Sequence, residues 1–136
     1  MQDRPTAQEL LVAVEELLRE TLMPALRGQA SFHARVAANA MGIVRREIDS
    51  IEDLDVRESE RLRALLDREG PLDGEGSLEE LNRELCRRLR DGEMDLEDSA
   101  LVDYLIRTTL GKVSIDNPRY SGYVRALEIW PDLCDA

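Results

Sequence analysis

The stretch SFHARVAANAMGIVRREIDS, residues 31–50, decides the fold of this chain. Plotted at about 100° per residue, its apolar side chains fill an arc that covers about half of the helix circumference, wider than the stripe of an ordinary surface helix. This pattern predicts a long, central and well-buried helix. Its alanines and Gly42 would let the backbones of neighbouring helices approach closely.

Apolar residues also recur at helical spacing on both sides of this stretch, and nothing in the chain alternates as a strand does. Three helix starts show a capping-box pattern, in which a Thr, Asp or Ser is followed three positions later by Glu: Thr6 with Glu9, Asp55 with Glu58, and Ser77 with Glu80. Glycine and proline mark the ends. The predicted helices lie near residues 7–22, 31–50, 56–69, 78–91 and 96–115, with a short helix near 119–128.

These elements predict an all-α fold. The loops between the helices are short, which favours antiparallel neighbours and an up-down bundle of about five helices. The chain of 136 residues fits a single domain, residues 1–136. The short C-terminal helix leads into an apolar tail that we expect to dock on a protein surface, because large apolar groups are rarely left in water.

The overall charge excludes several function classes. The chain has 18 Lys+Arg against 29 Asp+Glu, a net charge of −11, which disfavours binding to a phosphate backbone.

No apolar run approaches the roughly 20 residues of a membrane span, and the first residues lack a secretory signal. We therefore expect a cytoplasmic protein that contacts neither nucleic acid nor membrane, with Cys86 and Cys134 reduced.

One region departs from the acidic balance, because residues 27–46 contain four arginines and no acid. Guanidinium groups suit carboxylate and phosphate. A candidate site for a small anion would combine polar residues of this helix with residues at the end of the fifth helix: His33, Arg35, Asn39, Lys112, Asp116, Asn117 and Tyr120. The competing interpretations are a core histidine, a solvated helix edge and an ordinary helix C-terminus.

No residue pattern demands a catalytic mechanism, a metal or a cofactor, so an enzyme is the less favoured class. His33 is the only histidine, and no Glu-x-x-His pattern of a di-metal bundle occurs. Asp98-Ser99 at a helix start resembles the phosphopantetheine attachment site of acyl carrier proteins, which are also small, acidic and helical. An acyl-carrier function is a weaker interpretation of the sequence. It requires a prosthetic group on Ser99, which an intact-mass measurement would detect.

Three stretches together resemble an uncharacterised bacterial family: Arg4-Pro5-Thr6, FHARVAAN at residues 32–39, and IDNPRY at residues 115–120. Members of that family stand alone or lie beside, or fused to, aminoglycoside-phosphotransferase-like kinases, often near acyl-CoA dehydrogenases. The resemblance implies a partner module for a phosphotransferase rather than a kinase, since the chain has no nucleotide-binding lobe.

The leading hypothesis is thus a non-catalytic accessory or interaction module that acts with a phosphotransferase-like kinase. Phe32, Val36 and Trp130 are the predicted partner contacts. A homo-oligomer is also expected, because a broad apolar arc needs covering. The alternative is a small-ligand binder or enzyme that uses the polar candidate site.

Overall fold

The computed structural model describes residues 4–67 and 77–130, and every regular element in those ranges is helical. The predicted all-α class is therefore confirmed. In chain order the elements are α1 (Ala7–Glu16), a π-helical segment (Leu17–Leu22), α2 (Met23–Ala25), α3 (Gly28–Leu66), α4 (Leu78–Arg90), α5 (Ser99–Asp116) and α6 (Ser121–Ile129). No helix in these ranges is both long and apolar enough to cross a membrane.

Two of the predicted capping boxes form. The Thr6 hydroxyl accepts a hydrogen bond from the Glu9 amide at 3.2 Å, and the Glu9 carboxylate accepts one from the Thr6 amide at 2.7 Å. Ser77 and Glu80 make the same reciprocal pair at the start of α4. Each pair satisfies backbone donors that the first turn of a helix leaves free, so these starts follow from local sequence.

The capping box predicted at Asp55 and Glu58 was wrong, because the predicted helices near 31–50 and 56–69 are one helix of 39 residues. The segment between them, IEDLDV at residues 51–56, contains no glycine or proline, and Ile51 and Leu54 are half-buried. Backbone hydrogen bonding therefore continues through Asp55 instead of restarting there. The helix ends at Leu66, followed by Asp67 with a left-handed φ of 52°. Residues 68 and 69 lie outside the described ranges.

The first helix does not stop near Leu22 as predicted. It widens into the π-helical segment and continues as α2 to Ala25. Pro24 has no amide hydrogen, and its ring would clash with a carbonyl of the preceding α-helical turn. The Met23 amide donates to Leu18 O, five residues back, which shows the wider turn that precedes the proline.

The chain forms two compact units, of which the first is Met1–Ile51. In it, α1 and the π-helical segment run antiparallel to the first part of α3. Arg19 Nη2 donates to Asn39 Oδ1 at 3.2 Å, and Glu15 Oε2 lies 3.7 Å from Arg45 Nε. Gly28 begins α3 with a φ of +58°, a conformation that glycine adopts without steric cost. We call this antiparallel pair the hairpin.

The hairpin closes along a strip of small residues. Ala34 and Ala38 are buried, and a Cβ at Gly42 would lie 3.3 Å from Arg46 Nη1 and 3.5 Å from Glu15 Oε1. The close approach of neighbouring backbones expected from these residues stays a prediction, since the atoms nearest to a Cβ at Gly42 belong to side chains. The expectation that residues 31–50 form the most buried helix was wrong, since the larger apolar side chains Phe32, Val36, Val44 and Ile48 are exposed.

The second unit is Glu52–Ala136. Its core is supplied by the second part of α3 together with α4 and α5. The buried side chains of that core are Leu62, Leu66, Leu81, Leu85, Leu101 and Tyr104. The leucine stripes predicted on these helices therefore pack against one another. Each of the two units has its own internal packing. The single domain expected from the chain length therefore stays a prediction.

The continuity of α3 is testable at Asp53, an exposed residue inside the helix. Asp53→Pro removes an interior hydrogen bond and introduces a ring clash, so it should lower the free energy of unfolding by about 3 kcal/mol. Asp53→Ala, the control, should change it by less than about 0.5 kcal/mol. Urea unfolding followed by circular dichroism measures both. A proline variant as stable as the alanine control would show a loop at this position.

Candidate functional site

A depression of about 430 Å³ opens on the first unit where α2 turns into α3. Leu26 is extended, with φ −90° and ψ 156°, and so brings the chain around to Gly28. The first two turns of α3 supply the other wall. The lining residues are Leu26, Arg27, Gly28, Ser31, Phe32 and Arg35.

The depression is positively charged. Among the described residues, neither Arg27 nor Arg35 forms an ion pair with a carboxylate, and no acidic residue occurs between positions 27 and 46. Two guanidinium groups on one concave surface can receive a carboxylate or a phosphate through charge-assisted hydrogen bonds. Phe32, the only phenylalanine of the chain, gives the same surface an apolar wall.

The three predicted polar residues of this unit do not share that surface. Arg35 lines the depression, whereas Asn39 accepts the hydrogen bond from Arg19. His33 is exposed, with its ring edge-on to Phe32 at 5.8 Å between centroids. The expectation of an interior histidine was wrong, because His33 lies about 140° around the helix from Ala38, beyond the strip that α1 covers.

The other predicted ligand-binding residues lie in the second unit. Lys112 and Asp116 are exposed and one turn apart at the end of α5. Asn117 ends α5, its amide donating to Val113 O at 2.8 Å, and Tyr120 precedes α6 as its N-cap. Asn117 thus has a structural role at the turn between α5 and α6. Convergence of these residues with His33, Arg35 and Asn39 stays a prediction.

The predicted partner contacts are exposed apolar side chains. Phe32 exposes 60 % of its surface and Val36 exposes 49 %. Trp130 is also exposed, and its amide closes α6 by donating to Ala126 O. The remainder of the predicted tail, residues 131–136, lies outside the described ranges. Ser99 is the exposed first residue of α5, directly after the Asp98 N-cap.

A buried polar cluster in the second unit was missed by the sequence reasoning. Tyr104 Oη lies 3.2 Å from both Glu58 Oε1 and Asn82 Oδ1. Asn82 Nδ2 donates to Glu58 Oε1 and to Leu78 O, each at 3.0 Å. The cluster therefore links α3, α4 and α5 through hydrogen bonds in a leucine-lined core, where an unpaired polar group would be costly.

Burial, followed by the nearby Glu58 carboxylate, raises the pKa of Tyr104 to about 12. Tyr104 and Glu58 expose only 3 % and 7 % of their surfaces. A neutral phenol that bonds to the buried Glu58 and the half-buried Asn82 orders the packing of α3, α4 and α5. Arg61 lies one turn after Glu58. Burial of the Arg61 side chain lowers its pKa, and the positive charge of Arg107 lowers it further.

A signal for this cluster was present in the sequence. Glu58 precedes Leu62 by four residues and Leu65 by seven, so it occupies their apolar face once the helix is continuous. The capping-box pattern of Asp55 with Glu58 predicts instead that Glu58 lies at a helix end in solvent. A carboxylate on a leucine face requires a buried partner, and Tyr104 holds the equivalent position on α5 beside Leu101.

Within the described ranges, no three His, Cys, Asp or Glu side chains group as metal ligands would. A family model described as Domain of unknown function (DUF6285) matches residues 24–120. Comparisons with curated proteins and with solved structures each gave no match. The family match covers the depression, all of α3 and the Glu58 cluster.

The structural role of Tyr104 predicts a specific pH dependence. Tyr104→Phe should lower the free energy of unfolding at pH 8 by about 1–3 kcal/mol, because buried acceptors lose their donor. An unfolded tyrosine ionises near pH 10, whereas folded Tyr104 holds its proton to about pH 12. Above pH 10 the unfolded chain thus binds fewer protons, and the stability of the wild type falls. Its advantage over Tyr104→Phe should therefore shrink between pH 10 and 12.

Urea unfolding at pH 8, 10 and 11.5 measures this difference. Tyr120→Phe is the matched control, because Tyr120 is more than half exposed and its substitution should leave stability nearly unchanged. A wild-type advantage that is constant from pH 8 to 11.5 would contradict the buried, hydrogen-bonded phenol.

Proposed function

We propose that this chain, which belongs to the family described as Domain of unknown function (DUF6285), is a non-catalytic helical interaction module that partners a phosphotransferase-like kinase. The observation that supports the proposal is the exposure of Phe32 and Val36 on α3. The kinase as partner comes from the resemblance of residues 4–6, 32–39 and 115–120 to a family found beside or fused to such enzymes.

The proposed contact is the side of α3 that faces away from α1. Val36 and Ala40 lie two residues from the buried Ala38, about 200° around the helix, and Phe32 is one turn before Val36. We call Phe32, Val36 and Ala40 the outer face. Burying an exposed Phe or Val stabilises a complex by about 1.5–3 kcal/mol per fully buried side chain.

The neighbours of Phe32 fit a protein interface. Arg27 and Arg35 line the same depression as its ring. Aromatic residues and arginines are the side chains most often found at the energetic centre of an interface. An acidic group of the kinase would pair with these guanidiniums while an apolar segment covers the outer face.

The test is affinity purification of the tagged full chain from its native cells, with mass spectrometry of what is bound. A stoichiometric phosphotransferase-like kinase is expected. Phe32→Asp places a charge at the centre of the proposed contact and should abolish the complex. Val12→Asp is the control, because Val12 is exposed on α1, away from the outer face.

Circular dichroism and urea unfolding show whether Phe32→Asp is folded. A folded Phe32→Asp variant that still binds the kinase would contradict the proposed contact. Recovery of wild-type chain without any phosphotransferase-like protein would contradict the partner.

The depression itself supports a second candidate function, the binding of a small anion. Its two guanidiniums, which form no ion pair within residues 4–67 and 77–130, and its volume of about 430 Å³ suit a small carboxylate or phosphate compound. This candidate keeps Arg35 from the polar set predicted from sequence and adds Arg27 and Ser31.

Titration of labelled protein with inorganic phosphate, followed by NMR, tests this candidate. Shifts should be confined to the lining residues and should disappear in Arg27→Gln and Arg35→Gln, since each variant removes half of the positive charge. Arg125→Gln, an exposed arginine on α6, should bind as wild type does. Equal shifts in all three variants would show non-specific ion binding.

A further inference from the structure

One side of the hairpin carries a second apolar surface, which adjoins the outer face because Val44 lies one turn after Ala40. The hydrogen bond from Arg19 to Asn39 marks the polar side. Leu10 lies nine residues before Arg19, and Ile48 lies nine residues after Asn39. Nine residues turn a helix by about half a revolution beyond two full turns, so both side chains lie on the side opposite that hydrogen bond.

That side is lined by side chains from both helices. Val14 and Leu17 follow Leu10 at helical spacing, and Val44 precedes Ile48 by one turn. Each of the five is 40–50 % exposed. We call this set the hairpin face: Leu10, Val14, Leu17, Val44 and Ile48.

The exposed area is close to what a stable dimer needs. At these exposures the five side chains present about 350–400 Å² of apolar surface, compared with roughly 450–500 Å² of apolar area per partner in a standard interface. The half-buried Ala37 and Met41 border the same side and add to it.

We propose that the hairpin face is covered by the hairpin of a second copy of this chain. Two antiparallel helix pairs that pack by their apolar sides form a four-helix bundle, and a two-fold axis makes one surface complementary to itself. The contact is isologous, so each copy contributes the same five residues.

Charge selects which helices become neighbours across this interface. Residues 7–22 carry four glutamates and one arginine, a net −3, and residues 28–51, the α3 residues of the first unit, carry three arginines and two acidic residues, a net +1. Placing α1 beside α3 of the second copy pairs opposite charges, whereas α1 beside α1 would pair like charges. The bundle therefore has α1 against the other copy's α3.

Sedimentation equilibrium of the full chain tests the dimer across a concentration series from about 1 to 500 µM. The wild type should approach twice the chain mass of 15.4 kDa with increasing concentration. Val14→Glu should sediment as a monomer, with dissociation at least about 100-fold more favourable, because a charge would be buried at the centre of the contact.

Two control variants separate this interface from other surfaces. Val12→Glu changes an equally exposed valine on the same helix, about 160° from Val14, and should remain dimeric. Phe32→Asp, which should abolish kinase binding, should also remain dimeric, because Phe32 lies about 160° around α3 from Ile48. Far-UV circular dichroism confirms that each variant is folded.

A wild-type mass of 15.4 kDa throughout the series would overturn the proposal. A folded Val14→Glu variant that dimerises as the wild type does, or a Val12→Glu variant that is equally monomeric, would also overturn it. None of these outcomes depends on the kinase, so the dimer and the accessory function succeed or fail separately.

Discussion

The unbroken backbone hydrogen bonding of α3 is the constraint on which the rest of the structure depends. Its 39 residues supply one wall of the first unit and one wall of the second, so the register of each unit follows from one helix. Glu58 illustrates the consequence. With the helix continuous through Asp55, Glu58 turns onto the face of Leu62 and has to find hydrogen-bond donors in a buried environment.

The two units pack through different kinds of side chain. The hairpin buries Ala34, Ala38 and Gly42, while larger apolar groups of both helices are exposed. The second unit closes on leucines and includes the hydrogen-bonded Glu58, Asn82 and Tyr104. The first arrangement leaves apolar surface exposed, and the second holds a carboxylate, an amide and a phenol that bond to one another.

The polar groups of the two units differ in exposure. The Glu58 carboxylate and the Tyr104 phenol of the second unit are buried and bond to each other. The guanidiniums of Arg27 and Arg35 are accessible but are accompanied by an exposed phenylalanine. A surface of this kind suits the acidic, partly apolar partner proposed above.

The amino-acid sequence by itself determined the helical class, the starts of α1 and α4, and the strip of small residues at which helices meet. These features depend on side chains within one turn of each other or on a repeat of 3.6 residues, and both are visible in one dimension. Only the tertiary structure decided that α3 runs through residues 51–56, because two local signals conflict there: the pattern of Asp55 with Glu58 favours a helix start, whereas the absence of glycine and proline lets the helix continue.

Tertiary structure also decided the exposure of His33, Phe32 and Val36 and the burial of Glu58. Periodicity shows which residues share a face, but burial depends on how much of that face a neighbouring helix covers. Here Ala34, Ala38 and Gly42 are buried, whereas Phe32, Val36, Val44 and Ile48 of the broad apolar arc are exposed.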